Sequence, residues 1–268
     1  MYFSMDDIGF ENIEKIKLMQ NESMRWEFIY EIAKGYGFDG IHFTPSLYNE
    51  FGLDLHNIPK YFENLKLTLH LGGLYKLTTD KDYEAFDNYL CDSFEIAMKR
   101  KMHDISIHPP YVYGISSNER KMCLCFFDKA ISKWAKKAIK SNISFTLETH
   151  VSGEFFLFSG LEEFIIFADK HPDLGILIDL SHNYFDNYSE EAIIKFLGSR
   201  NVKALHISDA LQNVDFKKGT HLAVGEGTID FKRLLMYFSK IPDIFGALEI
   251  KAENKKIQSS LNRLKNMF

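Results

Sequence analysis

Six residues of this chain occupy equivalent places that invite chemistry. His70, His108, Glu148, Asp179, His206 and Glu249 each lie at the end of a short apolar run. The stretch LGILIDLSHNYF (174–185) shows the pattern: Asp179 tips the run Gly175-Ile176-Leu177-Ile178, and His182 follows three residues on. A single aspartate in that position would be an ordinary cap for the next helix. Six acids and imidazoles in the same setting need another account. Brought together, the carboxylates could not all stay ionised without a cation or a shared proton, since each opposes the ionisation of its neighbours. One divalent metal ion meets that need. Glu148, Asp179, His206 and Glu249 would offer three oxygen ligands and one nitrogen, a set suited to Mn2+, Zn2+, Co2+ or Mg2+.

The elements that must position these residues follow from the alternation of patterns along the chain. Candidate strands are Tyr2-Phe3-Ser4, GIHF (40–43), KLTLH (66–70), DISIH (104–108), ISFTLE (143–148), GILID (175–179), VKALH (202–206) and GALEI (246–250). Between them lie amphipathic stretches that read as helices, such as MRWEFIYEIAKGYG, YEAFDNYLCDSFEIAMKRK and KAISKWAKKAIKSN. Strands alternating with helices imply parallel pairing, because parallel neighbours need a crossover between them. Eight such units predict an α/β fold, a single (β/α)8 TIM barrel over residues 1–268, with an open doubly wound sheet as the alternative; such barrels typically take about 250 residues. Strand parity supports closure. Ser106 shares a face with His108, Thr146 with Glu148, Ala204 with His206, and Ala247 with Glu249, while Ile105, Ile107, Phe145, Leu147, Leu205, Leu248 and Ile250 face the other way. Successive side chains alternate between faces. The apolar set would meet the helices, and the small residues would leave room inside for the polar tips. A barrel gathers those tips at its carboxyl-terminal end, where this fold builds active sites.

A formal net charge of -5 argues against a polyanionic partner such as nucleic acid, whose binders usually show a basic face. No stretch approaches the ~18 consecutive apolar residues of a membrane helix. The opening MYFSMDDIGFENIEK lacks the charged-then-apolar pattern of a secretory leader, and Cys91, Cys123 and Cys125 form no metal-type spacing. Reduced thiols and a cytoplasmic location are therefore expected. The sequence permits a homo-oligomer without specifying one.

In order, the motifs SIHPP (106–110), FTLETH (145–150), LIDLSH (177–182), LHISD (205–209), HLAVGEGTIDF (221–231) and ALEI (247–250) resemble the xylose-isomerase-like TIM-barrel superfamily. That group holds sugar isomerases and epimerases and also the endonuclease IV abasic-site nucleases, the AP endonuclease family 2. The resemblance implies that Glu148, Asp179, His206 and Glu249 bind one divalent metal, with the two glutamates acting as acid and base on a sugar. In the nuclease branch a larger set binds three zinc ions, and His70, His108, His182 and His221 match further members. That branch expects an aspartate two residues before His221, where this chain has Gly219.

Each residue also has a plainer reading. The four ligand candidates could be separate caps and rim ion pairs, and His182 could bond a loop carbonyl. His70 and His108 could be satisfied core histidines; as functional groups, these two, His182 and His221 would contact substrate, with His182 also catalytic. His42, His56, His103, His150 and His171 are assigned no role, since none combines a strand tip with inward parity. The glycines of GEG (225–227) are expected to shape the loop that brings His221 to the mouth. Tyr75, Tyr111, Tyr113, Phe155, Phe156, Tyr184 and Phe185 would line a mouth suited to a small sugar substrate. Lys76, Lys217 and Lys218 are its cations, and the last two either meet a phosphate or are simply solvated.

Overall fold

The computed structural model describes residues 1–6 and 9–267. Eight strands close in chain order into a barrel: β1 (Tyr2–Met5), β2 (Gly40–Phe43), β3 (Lys66–Leu71), β4 (Asp104–Ile107), β5 (Ser144–Glu148), β6 (Gly175–Asp179), β7 (Val202–Ile207) and β8 (Phe245–Leu248). Every neighbouring pair is parallel, including β1 with β8. β2 is held tightly between β1 and β3: a Cβ on Gly40 would meet the Lys66 carbonyl oxygen of β3 at 2.2 Å and Ser4 Oγ of β1 at 2.7 Å. Only glycine fits there.

The parity read from the strands holds. Ile105, Ile107, Phe145 and Leu147 point outward into one core shared with the helices, where Phe94 stacks on Trp134 at 4.9 Å and lies 5.6 Å from Phe145. Truncating Phe94 to alanine there would cost about 3–5 kcal/mol. Inside, a separate cluster of Leu177, Ala204, Phe245 and Ala247 fills the amino-terminal part of the bore, with Tyr2 stacked on Phe245. Above it sit the buried small polar residues Thr68, Ser106 and Thr146, and above these the ionisable tips.

The helix expected from KAISKWAKKAIKSN begins earlier, spanning Ser117–Ser141. Its start is fixed by a capping box: Ser116 Oγ accepts from the Glu119 amide, and the Glu119 carboxylate accepts from the Ser116 amide. Short helices also form at Pro45–Glu50, Leu180–Phe185 and Phe216–Gly219. Among the described residues no helix is long and apolar enough to cross a membrane.

Candidate metal centre at the carboxyl-terminal end of the barrel

Glu148 and Asp179 end β5 and β6, His206 lies in the last turn of pleat of β7, and Glu249 follows β8. One potential ligand atom from each of the four lies within 4.8 Å of the others. His206 Nδ1 sits among the acids, 3.0 Å from Glu249 Oε2, 3.4 Å from Glu148 Oε1 and 3.8 Å from Asp179 Oδ2. Glu148, Asp179 and His206 are sealed from solvent, whereas the Glu249 side chain is 16% exposed and marks the open side. Both Glu148 oxygens, Asp179 Oδ2, His206 Nδ1 and Glu249 Oε2 are buried without a hydrogen-bond partner. Leaving such groups unsatisfied costs about 1–3 kcal/mol each, more when charged. Four of these atoms, Glu148 Oε1, Asp179 Oδ2, His206 Nδ1 and Glu249 Oε2, face one space, which is what a divalent cation would satisfy, so the residues present fit such an ion.

The electrostatics describe the same need. Burial alone would raise Glu148, but His206 and His108 overcome it and hold this carboxyl well below the usual carboxylate range. Glu249 is likewise held low, against burial, by His221 and His206. Asp179 goes the other way, pushed well up by burial and by the charges of Glu249 and Glu148. His206 is raised against burial by Glu148 and Glu249. Without a metal, protons on imidazole and carboxyl groups supply the positive charge.

Asp179 fulfils both readings of its sequence position. Its Oδ1 caps the helix Leu180–Phe185, accepting from the His182 amide at 2.7 Å and from Ser181 Oγ at 3.0 Å. Its Oδ2 remains free for the cluster. Thr149 Oγ1 braces the strand end by accepting from the Asp179 amide and from Asn183 Nδ2.

The other histidines flank this centre in two groups. His70 Nε2 and His108 Nε2 approach Glu148 Oε2 at 3.2 and 3.1 Å, which makes His70, His108 and Glu148 a second potential ligand set. Burial lowers His70, yet the neighbouring carboxylates of Asp6 and Glu148 lift it to about 10. On the other side His182 Nδ1 lies 3.3 Å from Asp179 Oδ2, and His182 Nε2 lies 3.3 Å from His221 Nε2. Burial and His221 press His182 down to about 3. His221 Nδ1 is 3.7 Å from Glu249 Oε1. Its loop is tied down by Asp209, whose carboxylate accepts from the amides of Ala210, Gly225 and Ile229. Gly225 has φ 93°, and His221 itself adopts φ 55°, a conformation uncommon outside glycine.

Two histidines assigned no role belong here after all. His42 is fully buried and faces into the bore, with Nε2 at 3.2 Å from His206 Nε2 and Nδ1 at 2.6 Å from Thr68 Oγ1. With His206 Nδ1 turned to the acids, an Nε2–H on His206 could donate to His42 Nε2 and an Nδ1–H on His42 to Thr68 Oγ1. That arrangement would leave His206 Nδ1 as the nitrogen available to a metal. The signal was present: GIHF places His42 two residues beyond Gly40, the same small-then-polar parity as the other tips. His150 packs its ring 3.7 Å from Phe156 and 4.7 Å from His182. Burial, with His182 and His108 nearby, keeps it neutral.

The aromatic residues divide. Tyr113 stacks on Phe155 at 4.9 Å, Tyr111 lies 6.0 Å from Phe156, and Phe185 meets Phe216 edge-on. Tyr75 instead packs against Phe86, its hydroxyl donating to the Leu71 carbonyl.

A closed parallel barrel with acids and imidazoles converging at its carboxyl-terminal end defines the class. Residues 30–267 match the family described as xylose isomerase-like TIM barrel, and the chain belongs to that family. No match is found among curated proteins. Solved structures with the same fold include a D-tagatose 3-epimerase-like protein, at 18% identity and TM-score 0.75 over 100% of this chain and 97% of that one. An IOLI protein with a bound zinc atom aligns at 13% identity and TM-score 0.71, over 100% and 96%. An AP endonuclease, family 2, from Brucella melitensis aligns at 15% identity and TM-score 0.73, over 99% of each chain.

Proposed function

We propose that the protein is a divalent-metal-dependent sugar isomerase or epimerase, working on an open-chain aldose, ketose or cyclitol-like ketone. The observation that carries this reading is the convergence of Glu148, Asp179, His206 and Glu249 on one space, with their facing atoms otherwise unsatisfied. These four residues would hold the ion. When bound, it would polarise a carbonyl and its neighbouring hydroxyl and stabilise an enediolate. Glu148 and Glu249, with His206 Nδ1 between them, would remove a proton from one substrate position and deliver one to another. His182 orients a substrate oxygen, held by its contacts with Asp179 and His221. His70, His108 and His221 supply further polar contacts, and the Tyr111, Tyr113, Phe155 and Phe156 wall restricts water. The epimerase-like and zinc-bound neighbours agree with this reading through their fold alone.

The test is exchange of a substrate carbon-bound proton with solvent deuterium, measured across a panel of ketoses, aldoses and inososes in protein loaded with each candidate metal. Turnover without exchange, or binding of a sugar with neither, sinks the proposal.

The second ligand set favours one competitor. His70, His108 and Glu148 could take a further ion, as an abasic-site phosphodiesterase would require. Against it, Gly219 stands where that chemistry expects an aspartate, and a Cβ there would meet Val214 at 2.5 Å and the Leu211 carbonyl oxygen at 2.9 Å. Metal analysis decides: one ion per chain supports isomerisation, and two or three with incision of abasic duplex DNA supports the nuclease.

A further inference from the structure

A cavity of about 530 Å³ opens at the amino-terminal end of the bore, opposite the metal centre. That volume lies within the ~300–1,000 Å³ of small-molecule sites. Five strands begin on its wall: Tyr2, Lys66, Asp104, Ser144 and Phe245 are the first residues of β1, β3, β4, β5 and β8. Asp104 is the buried ionisable group among them, 1% exposed. Strand parity turns it into the bore, like Ser106 and His108 further along the chain. Its Oδ2 accepts from Thr146 Oγ1 at 3.1 Å, but its Oδ1 is buried without a hydrogen-bond partner.

A buried carboxyl with an unsatisfied oxygen at a cavity can recognise a ligand, and its protonation state sets what it recognises. Burial pushes the Asp104 pKa up to about 8, so near neutral pH the acid keeps its proton. With Oδ2 already accepting from Thr146, that proton belongs on Oδ1, which becomes a donor. The surrounding groups donate as well. Burial and the charges of Asp104 and Asp243 push the Tyr2 hydroxyl above its ordinary value, so it too stays protonated. Lys66 Nζ is held 4.1 Å from the centre of the Tyr2 ring, and Lys203, also on the wall, is half-buried. Asp243 is the one other acid of the wall, and it is exposed. Ile241 and Phe245 add apolar surface.

We propose that this cavity is a second binding site, for a small organic carboxylate: Asp104 Oδ1 donates to the ligand's carboxylate, Lys66 and Lys203 balance its charge, and Ile241 and Phe245 meet its apolar body. A hydrogen bond from a neutral acid to a carboxylate is short and strong. An amine would need Asp104 ionised beside two lysines, and inorganic phosphate would leave the apolar wall unused. The site lies at the end of the barrel away from the one where this fold builds its active sites, so it does not depend on the isomerase or epimerase reading.

The test titrates benzoate, benzylamine and inorganic phosphate calorimetrically into the full chain as wild type, Asp104→Asn, Asp104→Leu, Lys203→Ala and Glu148→Gln, each with its melting temperature recorded. One benzoate should bind per chain, weakened about tenfold or more in Asp104→Leu and Lys203→Ala, the usual loss with a charge-assisted contact. Asp104→Asn, whose amide still donates, and Glu148→Gln, at the other end of the bore, should stay within about threefold of wild type. Absence of saturable benzoate binding, tighter binding of benzylamine or phosphate, equal affinity in Asp104→Leu, or loss in Glu148→Gln overturns the assignment. Should Asp104→Leu fail to fold, wild type carrying 13C-labelled aspartate carboxyls decides. The Asp104 signal, identified by its absence from Asp104→Asn, should shift as benzoate is added; a fixed signal overturns the site.

Discussion

At the amino-terminal end of the bore, Leu177, Ala204, Phe245 and Ala247 pack with Tyr2, and the acid Asp104 is buried. At the other end Glu148, Asp179 and Glu249 crowd against His70, His108, His182, His206 and His221. Both ends bury carboxyl groups, but they settle the charge differently. Among the described residues Asp104 has Thr146 as the hydrogen-bond partner of one side-chain oxygen and none for the other, and burial pushes its pKa up to about 8, so it stays a neutral acid. The far end keeps two carboxylates ionised and arranges imidazoles around them. An isolated buried acid is tolerated by protonation, whereas a cluster of acids is held charged only where something positive is meant to meet it.

The largest break in that contrast should come from Glu148. Glu148→Gln removes one charge from a fully sealed position of the cluster, and we expect metal stoichiometry to fall toward zero and proton exchange to drop at least ~1000-fold, as for loss of a group acting in the transition state. Retained exchange with retained metal would mean that Glu148 is only a structural acid. Metal loading itself comes next. An ion at a hundred times its dissociation constant should stabilise the folded chain by about 2.7 kcal/mol, read as a rise in melting temperature of several degrees over protein treated with chelator. Glu148→Gln should show no such rise. Third, His42→Leu leaves the ligands in place but deletes the acceptor for His206 Nε2–H. Metal affinity should weaken about 10–100-fold, the usual cost of losing such a partner. His42→Gln, which can still accept that hydrogen bond, should recover part of it, and the Co2+ absorption spectrum of His42→Leu should change. An unchanged spectrum and affinity would reduce His42 to packing.

Much of this contrast was legible in the sequence, and the reason is strand parity. Ser106-His108, Thr146-Glu148, Ala204-His206 and Ala247-Glu249 each place a small residue beneath a polar tip, so facing could be read without coordinates. GIHF obeys the same rule, since Gly40 and His42 repeat the small-then-polar motif. The His42–His206 contact was not legible, because β2 and β7 are separated in the barrel by β8 and β1 and meet only across the closed bore. The early start of the Ser117–Ser141 helix was written in SSNE, whose first serine and glutamate form the capping box. The dual use of Asp179 depends on which oxygen points where, and residue type carries no such information.

The smallest expected effect tests the other end of the bore. For an acid whose folded pKa is raised from 3.8 to about 8, the cost of folding is absent below pH 3.8, where both states are protonated. As pH rises above that value the unfolded chain ionises while the folded one does not, so stability falls until about pH 8 and then levels. Asp104→Asn removes this cost while keeping the shape and an acceptor for Thr146 Oγ1. The adjoining cavity of about 530 Å³ borders Asp104 and lets its environment relax when ionised, so the gain at pH 8 should be only about 1–2 kcal/mol, near the imbalance of a single buried hydrogen bond. That gain would read as a rise of roughly 2–4 °C per kcal/mol in melting temperature, shrinking as pH is lowered toward 4. Metal binding should not change, because Asp104 lies below the small polar layer that separates it from the centre. A constant gain at every pH would assign the effect to packing rather than charge, and a lowered metal affinity would show that the two ends of the bore are coupled.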